Sequence, residues 1–170
     1  MISFDNTEIA FKSKSDKDLK RAYWLFKMVG NPSIVKFGKW ATGVSLKMHL
    51  PIDGAVKATI FKQFCGGETI NECDRTIRQL HDFGIGTILD YSVEGKTSAE
   101  DIKKTTQEII STIEKGKGNP AIPFAVFKVT GIARFALLEK ANDPNSELTE
   151  NEKVEFAKVI ERVDRICKRG

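Results

Sequence analysis

Two carboxylates and a lysine are the residues of this sequence best placed to do chemistry. Asp90 and Glu94 close the stretch "TILDYSVEG" (87–95), and Lys128 sits inside the apolar run "PFAVFKVTG" (123–131). Thr87, Ile88 and Leu89 read as a buried strand, and the acids follow at once. In the second run, strand alternation puts Val126, Lys128 and Thr130 on one face and Ala125, Phe127 and Val129 on the other. A lysine among Val and Thr is costly to desolvate unless it meets an anion, from the protein or from a ligand. Asp90 on the neighbouring strand is the protein's own candidate. Spacing leaves two readings open, a pair that holds two strands in register or a site that takes a charged ligand.

The elements that must position these residues alternate. Thr69 with Glu72 makes a capping box for a helix carrying Ile70, Cys73, Ile77 and Leu80, and strand 87–91 follows. Ser98 with Asp101 opens a second helix with Ile102, Ile109, Ile110 and Ile113 inward, and strand 124–130 follows "KGKGNPAIP". Two apolar strands joined by a crossover of some thirty residues form a βαβ unit with parallel pairing. Strands apolar on both faces belong inside a larger covered sheet. An eight-stranded β/α barrel collects functional residues at the C-terminal ends of its strands, where Asp90, Glu94, Lys128 and Thr130 all fall. A short helix over about 133–141, the loop "NDPNSE" and a last helix capped by Thr149 and Glu152 end the chain. That loop is no calcium site, because Leu148 and Val154 stand where a glycine and a bidentate glutamate are needed.

Ahead of this lies an all-helical region. Helices are expected over 15–29 from Ser15, from Pro32 to the stop imposed by Pro51, and over about 53–64 up to Gly66-Gly67. Residues 1–64 hold 11 Lys+Arg against 5 Asp+Glu, leaving 16 against 18 for the remainder. Such a basic arm suits an anionic membrane surface, or it is simply the solvated side of amphipathic helices; with no RNP-like motif, nucleic acid is not expected. Composition is that of a globular chain, and no run approaches the ~20 apolar residues of a membrane span. Without a signal-like N-terminus, a cytoplasmic location is expected, peripheral to the inner membrane where the basic arm engages it. Cys65, Cys73 and Cys167 lack zinc or disulfide spacing, and His49 and His81, both expected on helices, read as bystanders.

The stretches "FCGGETINECDRTIRQLHDFGIGTILDYSVEG" and "FAVFKVTGIARFALLEKAND", with the helical arm and "LTENEKVEF", resemble the N-terminal half of proline dehydrogenase, in its monofunctional form. That resemblance implies an α/β, predominantly helical fold: a helical arm (1–66), the first two β/α units of an incomplete (β/α)8 TIM barrel (67–142), and an inserted loop and terminal helix (143–170). It implies oxidation of L-proline to 1-pyrroline-5-carboxylate with FAD as cofactor and a quinone-type electron acceptor. It also implies roles: Lys128 on the substrate carboxylate, Asp90 balancing charge at the barrel top, Glu94 as a gate pairing with a substrate-binding arginine. The FAD-binding residues remain unknown, and the chain is expected to be an inactive fragment by itself. Its exposed strand edges are expected to drive self-association, unless the terminal helix folds back over the bare sheet. The alternative is a stand-alone helical module for protein or membrane interaction.

Overall fold

The computed structural model describes residues 4–170, which fall into two compact units, one ending at Gln79 and the other running from Leu80 to Gly170. The first unit is helical. After α1 (Thr7–Ala10) comes α2 (Asp16–Val29), whose first turn is closed by the Ser15 hydroxyl accepting from the Asp18 amide. Asn31 caps α3 (Pro32–Lys47), accepting from the Ser33 and Ile34 amides, with Pro32 at the position where its missing N–H costs nothing. Beyond α3 the chain turns at His49, in the left-handed region at φ 55°, so His49 lies outside the helix expected to hold it.

Residues 53–64 are helical as expected, yet not uniformly so. Between α4 (Asp53–Val56) and α5 (Lys62–Phe64) one π-helical turn intervenes at Lys57–Phe61, and the Thr59 hydroxyl donates 2.6 Å back to the Ala55 carbonyl. Back-bonding of this kind competes with the regular ladder and bends helices. Gly67 lets the next turn press onto the start of α6 (Ile70–His81): a Cβ there would lie 2.8 Å from the Glu72 Cβ and 2.9 Å from the Cys73 amide. The Thr69 hydroxyl caps the Glu72 amide, but the Glu72 carboxylate turns to the Glu68 amide, so the capping box is half made.

The second unit carries the sheet. Strands β1 (Ile88–Leu89) and β2 (Phe124–Ala125) pair in parallel, Ile88 opposite Phe124 and Leu89 opposite Ala125. Helix α7 (Ala99–Gly116) is the crossover, capped by Ser98 on the Asp101 amide. The βαβ unit is therefore as the sequence indicates, but both strands are shorter than the apolar runs suggest. The ladder stops after two residues, and Val129–Gly131 winds into a 3-10 turn, taking Thr130 off the strand.

One face of the sheet is covered and the other is bare. Leu89 is buried, and Tyr91 and Phe127 pack against Ile109, Ile110 and Ile113 of α7 together with Ile132 and Ile166. On the opposite face Ile88 is 53% exposed, Phe124 69% and Val126 40%. Ile166 belongs to α9 (Glu150–Cys167), so the terminal helix covers α7 rather than folding back over the bare face. Among the described residues the chain is thus mostly helical with a single two-stranded parallel sheet; the finer barrel expectation goes beyond that.

Helix α9 is locked to α8 (Phe135–Asn142) by charge as well as by Leu137 and Val159. Arg134 makes a two-pronged pair with Glu155 at 2.8 and 2.5 Å, and Lys140 reaches Glu152 at 2.7 Å. Glu152 simultaneously completes the capping box with Thr149. The Lys140 ammonium, and then the Thr149 amide and hydroxyl, hold its carboxyl down at about 2. A depressed carboxyl stabilises the fold above its unfolded value of 4.5 and ceases to do so as pH falls through 4.5 toward about 2. Glu152→Gln is therefore expected to lower the melting temperature at neutral pH and to match the parent chain near pH 2, as read by circular dichroism.

Candidate functional site

Asp90, Glu94 and Lys128 converge at the C-terminal ends of the two strands. Asp90 directly follows Leu89, and Lys128 lies three residues past Ala125 in still-extended backbone at φ −111°, ψ 130°. The Lys128 ammonium sits 3.2 Å from the Asp90 Oδ2 and 3.2 Å from the Glu94 Oε1. Ser92 donates its hydroxyl to the same Asp90 oxygen at 2.8 Å, fixing that carboxylate from the other side. Hydrogen bonds from Lys128 to Glu94 and then to Asp90 raise the lysine above its ordinary value of 10.5, so it stays charged throughout the physiological range.

Two local features hold the three residues together. Gly131 is buried beneath the loop that carries the acids: a Cβ on it would stand 2.9 Å from the Val93 carbonyl oxygen and 3.5 Å from the Thr105 methyl. Only a glycine permits that approach, which sets the lysine turn against the carboxylate loop. Gly95 follows Glu94 with φ +71°, a conformation that releases the chain from the site without the strain a Cβ would bring. Neither role stands out in the sequence, because a glycine at the end of a strand reads first as a turn.

The site is open. Lys128, Asp90 and Glu94 are 46%, 33% and 50% exposed, so a dissolved ligand can reach them. At such exposure an ion pair contributes little to stability. One cation between two carboxylates gives the cluster a net charge of −1. An ammonium has three donors, two of which the carboxylates engage here. The arrangement suits recognition of a small zwitterion: an incoming carboxylate takes the place of Glu94 on Lys128 with no change in the charge of the cluster, and an ammonium finds Asp90. Thr130, in its 3-10 turn, has left the strand that would have aligned it with Lys128. A cavity of about 640 Å³ lies in the other unit, lined by Arg21, Lys57, Lys62, Arg75 and neighbours, and includes none of the three site residues.

Mitochondrial proline dehydrogenase 1 of Dictyostelium discoideum is 38% identical over 107 residues, 62% of this chain and 19% of that protein. The chain is a relative of the proline dehydrogenases. The Caenorhabditis elegans protein of that name is 30% identical over 146 residues, covering 84% of the chain and 24% of the relative. The Arabidopsis thaliana protein is 28% identical over 141 residues, 78% and 28% respectively. The chain thus spans less than a third of the length of these proline dehydrogenases. No family model matches it, and no solved structure does. These relatives are mitochondrial by name, and no helix among the described residues is long and apolar enough to cross a membrane.

Proposed function

We propose that the chain is a working part of an FAD-dependent proline dehydrogenase. In this reading residues 1–66 are a helical arm, 67–142 the first two β/α units of a TIM barrel, and 143–170 an inserted loop and helix. One observation carries the proposal: Lys128 lies between Asp90 and Glu94 at the C-terminal ends of adjacent parallel strands, at the rim of an uncovered sheet face. In a β/α barrel that end holds the active site, and the face bearing Ile88, Phe124 and Val126 becomes the packed interior.

Lys128 would receive the carboxylate of L-proline, giving up Glu94 as it does so. Asp90, held by Ser92, would remain to neutralise the lysine and to face the ring nitrogen. Gly95, at φ +71°, lets the chain turn directly after Glu94. Closure of this loop over the ligand would exclude water and fix the amino acid for reaction. The chemistry supplied by bound FAD would be that of a hydride acceptor: the ring carbon beside the nitrogen would lose a hydride and the nitrogen a proton to solvent, leaving the C=N bond of 1-pyrroline-5-carboxylate, with a quinone-type acceptor taking the electrons onward.

The residues present fit the amino-acid end of such a site and not the dinucleotide end. Lys128 and the apolar Ile88, Phe124 and Val126 suit a ring lying beside a carboxylate, but neither strand is followed by a glycine-rich turn that could cradle a pyrophosphate. Purified as 170 residues, the chain is therefore expected neither to retain FAD nor to oxidise proline. The test is proline-dependent dye reduction by a flavin-loaded protein that contains this chain within its longest reading frame. Reduction that saturates with proline supports the reading, and a loaded protein indifferent to proline overturns it.

A further inference from the structure

The helical unit holds a cavity of about 640 Å³ that the proline site does not use. Its wall draws on Lys14 ahead of α2, on Asp18 and Arg21 of α2, on Lys57 and Phe61 of the π-helical turn, and on the start of α6 with the glycines before it. A π-helical turn widens the helix and re-aims the side chains around it, a device frequent at functional sites. Charge in the wall is unbalanced. Five cations, Lys14, Arg21, Lys57, Lys62 and Arg75, line it with three acids, Asp18, Glu68 and Glu72. The acids are all engaged: Asp18 pairs with Arg21 and Lys62, Glu68 with Lys57, and the Glu72 carboxylate accepts from the Glu68 amide. Among the described residues Lys14 and Arg75 meet no carboxylate. Arg21 gives Asp18 one of its several donors, while its Nε is buried with no acceptor. The Gly66 and Gly67 amides, just ahead of α6, donate to no backbone carbonyl among the described residues. Unmet donors on cations recruit an anion, and amides before a helix start are suited to hold one.

We infer that this cavity binds a soluble phosphate monoester, with Arg75, Lys14 and the Gly66 and Gly67 amides on the phosphoryl group and Phe61 and Phe64 against the organic body. Charge, donor geometry and size select this occupant. The wall carries a surplus of two positive charges, which the dianion of a phosphate monoester cancels. A guanidinium together with glycine amides at a helix start offers several donors to tetrahedral oxygens, more than a single carboxylate engages. The volume is that of a small-molecule pocket, well beyond what a bare inorganic ion fills, and the two phenylalanines give the remainder an apolar wall. Neither Lys128, Asp90 nor Glu94 takes part, so the inference stands apart from the proline dehydrogenase reading and would survive its failure.

Phenyl phosphate is the probe, titrated into the 170-residue chain and followed by calorimetry and by broadening of its phosphorus resonance. Saturable binding is expected. Inorganic phosphate should bind roughly tenfold more weakly, because it has no body to set against the two rings. Phthalate, which matches the charge and the ring but presents carboxylates, should also be weaker. Arg75→Gln removes an exposed guanidinium that meets no carboxylate, so it should leave the helical circular dichroism signal unchanged and weaken phenyl phosphate about tenfold. Lys39→Gln, the same loss of charge on α3 outside the cavity, should leave the affinity as it is. Absence of saturable binding, equal losses in the two charge variants, or phthalate or inorganic phosphate bound as tightly as phenyl phosphate would each overturn the inference.

Discussion

Replacing Lys128 with alanine is expected to lower kcat/KM for proline, in the protein that contains this chain, by roughly ten- to a hundredfold. Loss of one charge-assisted hydrogen bond to a substrate carboxylate is worth on the order of 1.5 to 3 kcal/mol. KM should carry a large part of the change, because a carboxylate handle binds ground and transition states alike, and bound flavin should change little. Lys128→Arg should recover part of the loss, since a cation would remain between Asp90 and Glu94. The competing reading, an ion pair that only fixes strand register, predicts the reverse: unchanged kcat/KM with a lowered melting temperature. The pH profile offers an independent check. The pair with Glu94 and Asp90 raises the lysine above its ordinary value of 10.5, so its contribution is complete below that pH and fades as pH rises through the higher folded value. Between pH 6 and 9 the lysine should therefore impose no break on the rate.

What the sequence made legible was local chemistry. Ser15, Ser98 and Thr149 each accept from the amide three residues on, as their types and spacing announce, so three helix starts were readable before any tertiary contact was known. The buried stripe of α7 was readable for the same reason, since Ile102, Ile109, Ile110 and Ile113 recur at helical period and all are buried. What failed to show were properties that depend on a neighbour. The strands read as five and seven residues because apolar runs mark burial, whereas the ladder spans only two residues of each strand. The π turn at Lys57–Phe61 lies within a stretch whose pattern suits a plain helix. The Arg134–Glu155 pair joins residues twenty-one apart, and nothing in either segment points to the other. The site itself was half legible. Spacing put Asp90 and Glu94 together at a strand end, and burial physics required an anion for Lys128 and offered Asp90, but that Lys128 meets both carboxylates at once was not readable.

Self-association of the isolated chain is the second large effect to expect. The two-stranded sheet leaves one hydrogen-bonding edge open on β1 and another on β2, and Ile88, Phe124 and Val126 stand in water on a face that a barrel would enclose. The terminal helix does not relieve this, because Ile166 is spent on the isoleucines of α7. A second copy can satisfy both needs at once by adding its strands at an edge and closing its own bare face against the first. Light scattering over a concentration series should then show species of two or more chains, with the Phe124 and Ala125 amides gaining protection from hydrogen exchange as concentration rises. Replacing Phe124 and Val126 with threonine leaves only Ile88 of the apolar face but keeps β-compatible side chains, and should return the chain to a monomer without loss of helix. A monomer at every concentration, with these amides already protected, would mean that the cover supplied by α7 on the other face is sufficient, and the expectation would fail.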